Sequence, residues 1–185
     1  MLGKNTFHKF VTLSTMAAVW CVYSMVAFAM PVDQSGEITV SGQVTVNGQP
    51  AVSSSTILSG AVIAAGANSN AVVSLGKLGR VEVLADSNVT LIFSASSIVA
   101  TLSEGQTRVS TSAGVAATVT TKDATVIADS SQADNFLVQV ECSHTHVDTT
   151  SGLVTMKTGS TDKQVVAGTS VRAWPASSSG RMFGS

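Results

Sequence analysis

The residues best equipped for chemistry sit together in Glu141-Cys142-Ser143-His144-Thr145-His146-Val147-Asp148. Side chains of a strand alternate between its two faces, so in a continuous strand Cys142, His144 and His146 share one face at i, i+2 and i+4. A thiolate and two imidazoles at that spacing come within reach of one transition-metal ion, Zn or Cu. The same alternation sets all three on the face of Phe136, Val138 and Val140, which should be interior. A polar turn carrying a lone cysteine is the plainer reading of the same residues.

Catalytic templates are otherwise missing from the sequence. It has no G-x-S-x-G elbow, no HExxH, no P-loop and no GxGxxG turn. Serine and threonine are plentiful, but a nucleophile needs a base, and beyond residue 29 the histidines are His144 and His146. Glu82 with Asp86, or Asp129 with Asp134, imitates a glycosidase carboxylate pair; surface turns explain both pairs more simply. The expectation is a protein that is not an enzyme, with no catalytic residues and no obligatory cofactor.

The elements that must position these groups are short strands. Val73 and Leu75, then Val81 and Val83, then Val89, Leu91 and Phe93 recur at a two-residue spacing, so one edge of each run is buried. Turn-forming residues separate the runs: Gly66 to Asn70, Gly76 to Gly79, Ala85 to Asn88, and Ser103-Glu104-Gly105 further on. Glu37 to Val40 and Gln43 to Val46 read as strands, and Asn47-Gly48 is the strongest hairpin signal in the chain. Phe136, Val138 and Val140 alternate against Leu137, Gln139 and Glu141. Val171 and Trp174 are the last apolar residues ahead of the 175–185 tail, with Trp174 a lid over the end of the core.

Composition narrows the classes of function. Of 185 residues, 11% are charged and 5% aromatic, and the net charge is −1. Few charges and many β-branched residues argue against disorder and against an all-helical domain. No basic patch is available for nucleic acid or for an anionic membrane surface.

Residues 1–29 read as a secretory signal peptide. Lys4, His8 and Lys9 precede an apolar Met16 to Phe28, and Ala27-Phe28-Ala29 is a small-x-small cleavage site. As a helix, Met16 to Phe28 spans roughly 20 Å, short of the ~30 Å hydrocarbon core. Contact with a membrane is then expected only through this segment, if it is left uncleaved. Cleavage near Ala29 gives a periplasmic or secreted protein with Cys142 alone, and no disulfide within the chain. Residues 30–36 form a lead-in, 37–174 the β domain, and 175–185 a disordered tail.

The fold class expected is all-β. A β-sandwich or jelly roll needs bulky residues between its sheets. A β-solenoid, stacking short strands around a narrow interior, suits this Val/Ala/Ser/Thr chain better. The solenoid is the expectation and the sandwich or jelly roll its alternative.

Several stretches resemble the FecR domain, found outside the cytoplasmic membrane in bacterial iron-uptake regulators and many exported proteins. They are Val44 to Pro50, Ser59 to Gly66, Ala71 to Leu75, Val119 to Val126, Asn135 to Val140, Gly152 to Met156 and Val166 to Val171. They keep the family's order across most of residues 40 to 172. The resemblance implies a stacked, β-helix-like domain with a regulatory or interaction role and no catalytic residues. It also implies a hairpin turn near Cys142 to His144, which would split the three candidate ligands. The chain departs from the iron-uptake regulators, which carry a cytoplasmic sigma-factor-binding segment ahead of a membrane helix. Nine residues before the apolar segment are too few for that work, so sigma-factor control by this chain alone is not expected.

The functional expectation is an exported, non-catalytic binding or scaffolding module of the bacterial envelope that contacts a protein or glycan and works in signalling. An envelope metal-binding or sensing protein using Cys142, His144 and His146 is the first alternative. A structural component that self-associates through the open ends of the solenoid, where end strands are unpaired, is the second.

Overall fold

The computed structural model describes residues 35–141, 144–159 and 161–173. The expected signal peptide, most of the expected lead-in, Cys142, Trp174 and the expected 175–185 tail lie outside them. Among the described residues the chain forms β1 (Ser35–Ser41), β2 (Val44–Val46), β3 (Gln49–Pro50), β4 (Ser55–Leu58), β5 (Ala61–Ala65), β6 (Asn70–Ser74), β7 (Gly79–Val83) and β8 (Ser87–Phe93). It continues through β9 (Ser97–Thr111), β10 (Ala116–Thr120), β11 (Thr125–Ala128), β12 (Asn135–Glu141), β13 (His144–Ser151), β14 (Leu153–Thr158), β15 (Thr161–Val166) and β16 (Thr169–Ala173). A single 3-10 turn, Gly76–Leu78, interrupts the strands. No helix among the described residues is long and apolar enough to cross a membrane.

The described residues are all-β, as their alternation predicts. Val73, Val81, Val83, Val89 and Leu91 are fully buried, with Leu75 and Phe93 close behind. Asn47 and Gly48 take φ of 52° and 77°, and Val46 pairs with Gln49 across them. That left-handed pair is what a two-residue hairpin turn requires.

The strands hydrogen-bond into one open sheet that pivots on β9. The first part of β9 pairs with β8 and β10, and its last part pairs with β7 and β12. One half of the sheet therefore runs β4-β1-β6-β7-β9-β12-β13-β16, and the other runs β3-β2-β5-β8-β9-β10-β11-β14-β15. Each half buries one face, and all the buried apolar residues belong to one cluster. The halves thus lie face to face across a shared core, with β5 touching β7 and β13 touching β15.

The turn expected at Ser103-Glu104-Gly105 is instead a bend inside β9. Asn88 pairs with Glu104 while Val89 pairs with Leu102, so Ser103 bulges out of register and the strand twists. Gly105 takes φ +80°, and a Cβ there would collide with Asp86 and Ser87. The Ser87 hydroxyl closes the bend, accepting from Gln106 N–H at 2.7 Å and donating to Gln106 O at 3.0 Å.

The coil-on-coil stack of a solenoid is not what these ladders show. Among the described residues every ladder is antiparallel except β9 with β10. Few bulky side chains are needed because the larger ones point inward: Ile38, Ile63, Leu91, Ile98, Leu102, Phe136 and Met156 are all fully buried. At roughly 1.5–3 kcal/mol for each fully buried large side chain, this inward set is the main favourable term. β1 begins at Ser35, inside the stretch expected as lead-in.

Candidate functional site

β12 and β13 form the hairpin that carries the candidate ligands. Their register pairs Glu141 with His144, Val140 with Thr145, Gln139 with His146, Val138 with Val147 and Leu137 with Asp148. The connection is two residues, Cys142 and Ser143. Phe136, Val138, Thr145 and Val147 face the core, so Glu141, Gln139, His144 and His146 occupy the outer face.

This corrects the continuous-strand reading, which put the histidines beside Phe136 and Val138. A reversal of the chain between Glu141 and His144 changes the parity of the alternation. The hairpin does not separate the two histidines, because both stand on β13. Cys142 lies outside the described residues.

The outer cluster is tight. His144 Nε2 lies 2.7 Å from His146 Nε2. Glu141 Oε2 lies 2.9 Å from His144 Nε2 and 3.7 Å from His146 Nε2. The imidazoles are sheltered, with side chains 16% and 14% exposed, whereas the glutamate is 46% exposed. Gln139 Nε2 donates to Glu141 Oε1 at 3.2 Å and so turns Oε2 toward the rings. On the neighbouring strand, Arg172 pairs with His146, and its Nε donates to His146 Nδ1 at 3.3 Å.

Gln139 and Arg172 were not among the residues expected at this site, and Glu141, at the head of the Glu141 to Asp148 stretch, was not among its expected ligands. A reversal of the chain between Glu141 and His144 pairs the two residues, so the glutamate was within reach of sequence reasoning. Arg172 was not, since its place depends on β16 joining β13.

The carboxylate pairs resolve into structural roles. Glu82 is bridged by Arg80 Nε at 3.4 Å and by Arg108 Nη1 at 3.3 Å on the outer face. Asp86 occupies a left-handed turn position with φ 53°. Asp129 accepts from the Ser131 backbone N–H at 3.0 Å, which holds its carboxyl below the usual range. Asp134 is buried and accepts from Leu153 N–H at 2.8 Å. An open depression of about 590 Å³ beside β2 and β3 is lined by Gln43, Val44, Pro50, Ala51 and Ala65. No ionisable side chain lines it.

No family model matches the chain, and no curated protein matches it. Solved structures do. Two crystal structures of a candidate anti-sigma factor from Parabacteroides distasonis superpose with a TM-score of 0.54 at 16% identity, over 63% of this chain. The chain spans 55% and 56% of those two chains, a little over half their length. At that identity the likeness is one of fold.

A second feature of the outer surface is a threonine ladder. Thr90 pairs with Thr101, Thr101 with Thr120, and Thr120 with Thr125. With neighbouring strands 4.7–4.9 Å apart, the four hydroxyl-bearing side chains span about 14 Å in a row. Serine and threonine are plentiful in the sequence, but only the strand order produces this alignment.

Proposed function

We propose that this chain is an exported, non-catalytic binding and scaffolding module of the bacterial envelope, acting in signalling by contact with a protein or glycan. The observation that carries the reading is the shared fold with structures of a candidate anti-sigma factor. An anti-sigma factor, by the meaning of the term, acts by holding a partner. The FecR resemblance of residues 40 to 172 and the signal-like first 29 residues point to the same compartment. The threonine ladder supplies the contact surface: evenly spaced hydroxyls on a stiff sheet both donate and accept, as glycan hydroxyls or a partner's polar groups require.

Self-association through the open edges is the weaker reading. Three of the four edge strands are guarded: β3 contains Pro50, β15 carries Asp162 and Lys163, and β16 carries Arg172, whereas β4 has neither proline nor charge. Proline and charge are the usual means of discouraging edge-to-edge pairing.

The test is crosslinking in intact cells of the source bacterium, comparing the wild type with a Thr101→Lys/Thr120→Lys variant. The reading expects a reproducible partner that the wild type captures and the variant does not. Identical recovery by both, or nothing above background, counts against it.

A further inference from the structure

We propose that Glu141 Oε2, His144 Nε2 and His146 Nε2 form a binding site for a divalent, borderline-soft transition-metal ion, opposed by Arg172 from the Nδ1 side of His146. The donor set is neither the cysteine-containing one that the sequence suggested nor dependent on the partner-binding role argued above.

Geometry is the first support. Three ligands of a tetrahedral zinc ion at 2.0–2.2 Å stand about 3.3 Å from one another. The three donor atoms here are separated by 2.7, 2.9 and 3.7 Å. Rotating the side chains by a few tenths of an ångström converts that triangle into one face of a tetrahedron. Two imidazoles and a carboxylate are a common donor set for zinc and for neighbouring divalent metals.

Protons satisfy the cluster poorly. Arg172 Nε–H donates to His146 Nδ1, so the proton of a neutral His146 sits on Nε2. That N–H meets His144 Nε2, which must then accept. Yet the same His144 Nε2 lies 2.9 Å from the Glu141 carboxylate, itself an acceptor. Moving the proton onto His144 Nε2 satisfies Glu141 and sets two N–H groups against each other. A cation at the centre turns all three lone pairs into favourable contacts.

Positioning is already in place. Glu141 and His144 are cross-strand neighbours and His146 is two residues along the same face, so the backbone fixes all three. Gln139 orients the carboxylate in the way an outer-shell hydrogen bond orients a metal ligand. The imidazoles are sheltered while the glutamate side faces solvent, leaving a coordination position open to water or an external ligand. Arg172 opposes the ion in two ways. Its charge repels a divalent cation, and its donation to Nδ1 selects the tautomer whose Nε2 cannot bind metal.

Calorimetric titration of Zn²⁺ into the purified protein tests the assignment. One ion per chain is expected. His144→Ala and His146→Ala should each weaken binding by about 100-fold or more, and Gln139→Leu by about tenfold, as for a lost outer-shell partner. Arg172→Ala should bind zinc about fivefold more tightly. A gain in affinity cannot come from misfolding, so this variant keeps the test decisive if a histidine variant is unstable. No binding by the wild type, or unchanged affinity in the His144→Ala/His146→Ala protein, would falsify the site. So would a Cys142→Ser variant that loses zinc while both histidine variants retain it.

Discussion

Thr121 Oγ1 lies 2.9 Å from Thr145 Oγ1, a buried contact that ties the two halves of the sheet together directly beneath the outer histidines. Thr145 stands between His144 and His146 in β13, its side chain fully buried where theirs face outward. Thr121 also organises the turn between β10 and β11, accepting from Ala124 N–H at 3.0 Å. Removing Thr121 by Thr121→Val strands that N–H and the Thr145 hydroxyl together, at about 1–3 kcal/mol. Thr145→Val leaves Thr121 its turn partners and should cost less than about 1 kcal/mol. Urea unfolding of the two variants checks the asymmetry; equal losses would contradict it.

Asp134 gives the fold a dependence on pH. Burial raises its carboxyl above the ordinary 3.8, the Leu153 N–H pulls the other way, and the charge of Asp129 adds a smaller upward push. Its Oδ2 has no hydrogen-bond partner among the described residues. A raised folded value means the native state holds the proton more tightly than the unfolded chain. The stability this group contributes is therefore complete below 3.8 and is lost as pH rises through the folded value. Asp134→Asn keeps an acceptor for Leu153 and removes the titration. The difference in unfolding free energy between variant and wild type should shift in the variant's favour from about pH 3 to about pH 6. A difference constant over that range would refute the assignment. Asp129, lowered by Ser131, drives the opposite trend in both proteins and largely cancels in the comparison.

Local pattern made the strands legible, and topology made the site illegible. Val81, Val89 and Leu91 declared their buried face by alternation alone, and Asn47-Gly48 declared its turn by chemistry. The bend at Ser103 to Gly105 looked like a turn because the same residues serve both purposes; Ser87, from another strand, decides between them. His144 and His146 were visible as chemistry, but their face depended on where the chain reversed. The pairing of Arg172 with His146 joins residues 26 apart. It belongs to strand order, which periodicity does not encode.

Gly105 is a position where that topology is exposed to mutation. Its φ of +80° disfavours any side chain, and a Cβ would press on Asp86 and Ser87. Gly105→Ala should cost on the order of 1–3 kcal/mol. The loss should appear as a lower urea midpoint; a midpoint equal to the wild type would mean that β9 does not turn here.

A deletion in the shared core provides a scale for these effects. Phe136 is fully buried on the inner face of β12. Phe136→Ala should cost about 3–5 kcal/mol, a large fraction of the stability of a domain this size. Urea denaturation monitored by circular dichroism would read it, and a loss under about 1 kcal/mol would show that the inner face is not packed as described.

Crystals soaked in Zn²⁺ and measured at the zinc edge locate the ion itself. An anomalous peak is expected about 2.0–2.2 Å from His144 Nε2, His146 Nε2 and Glu141 Oε2, with the Arg172 side chain displaced from His146. Zinc found elsewhere, with these three side chains still bonded to one another and no peak between them, would contradict a metal site here.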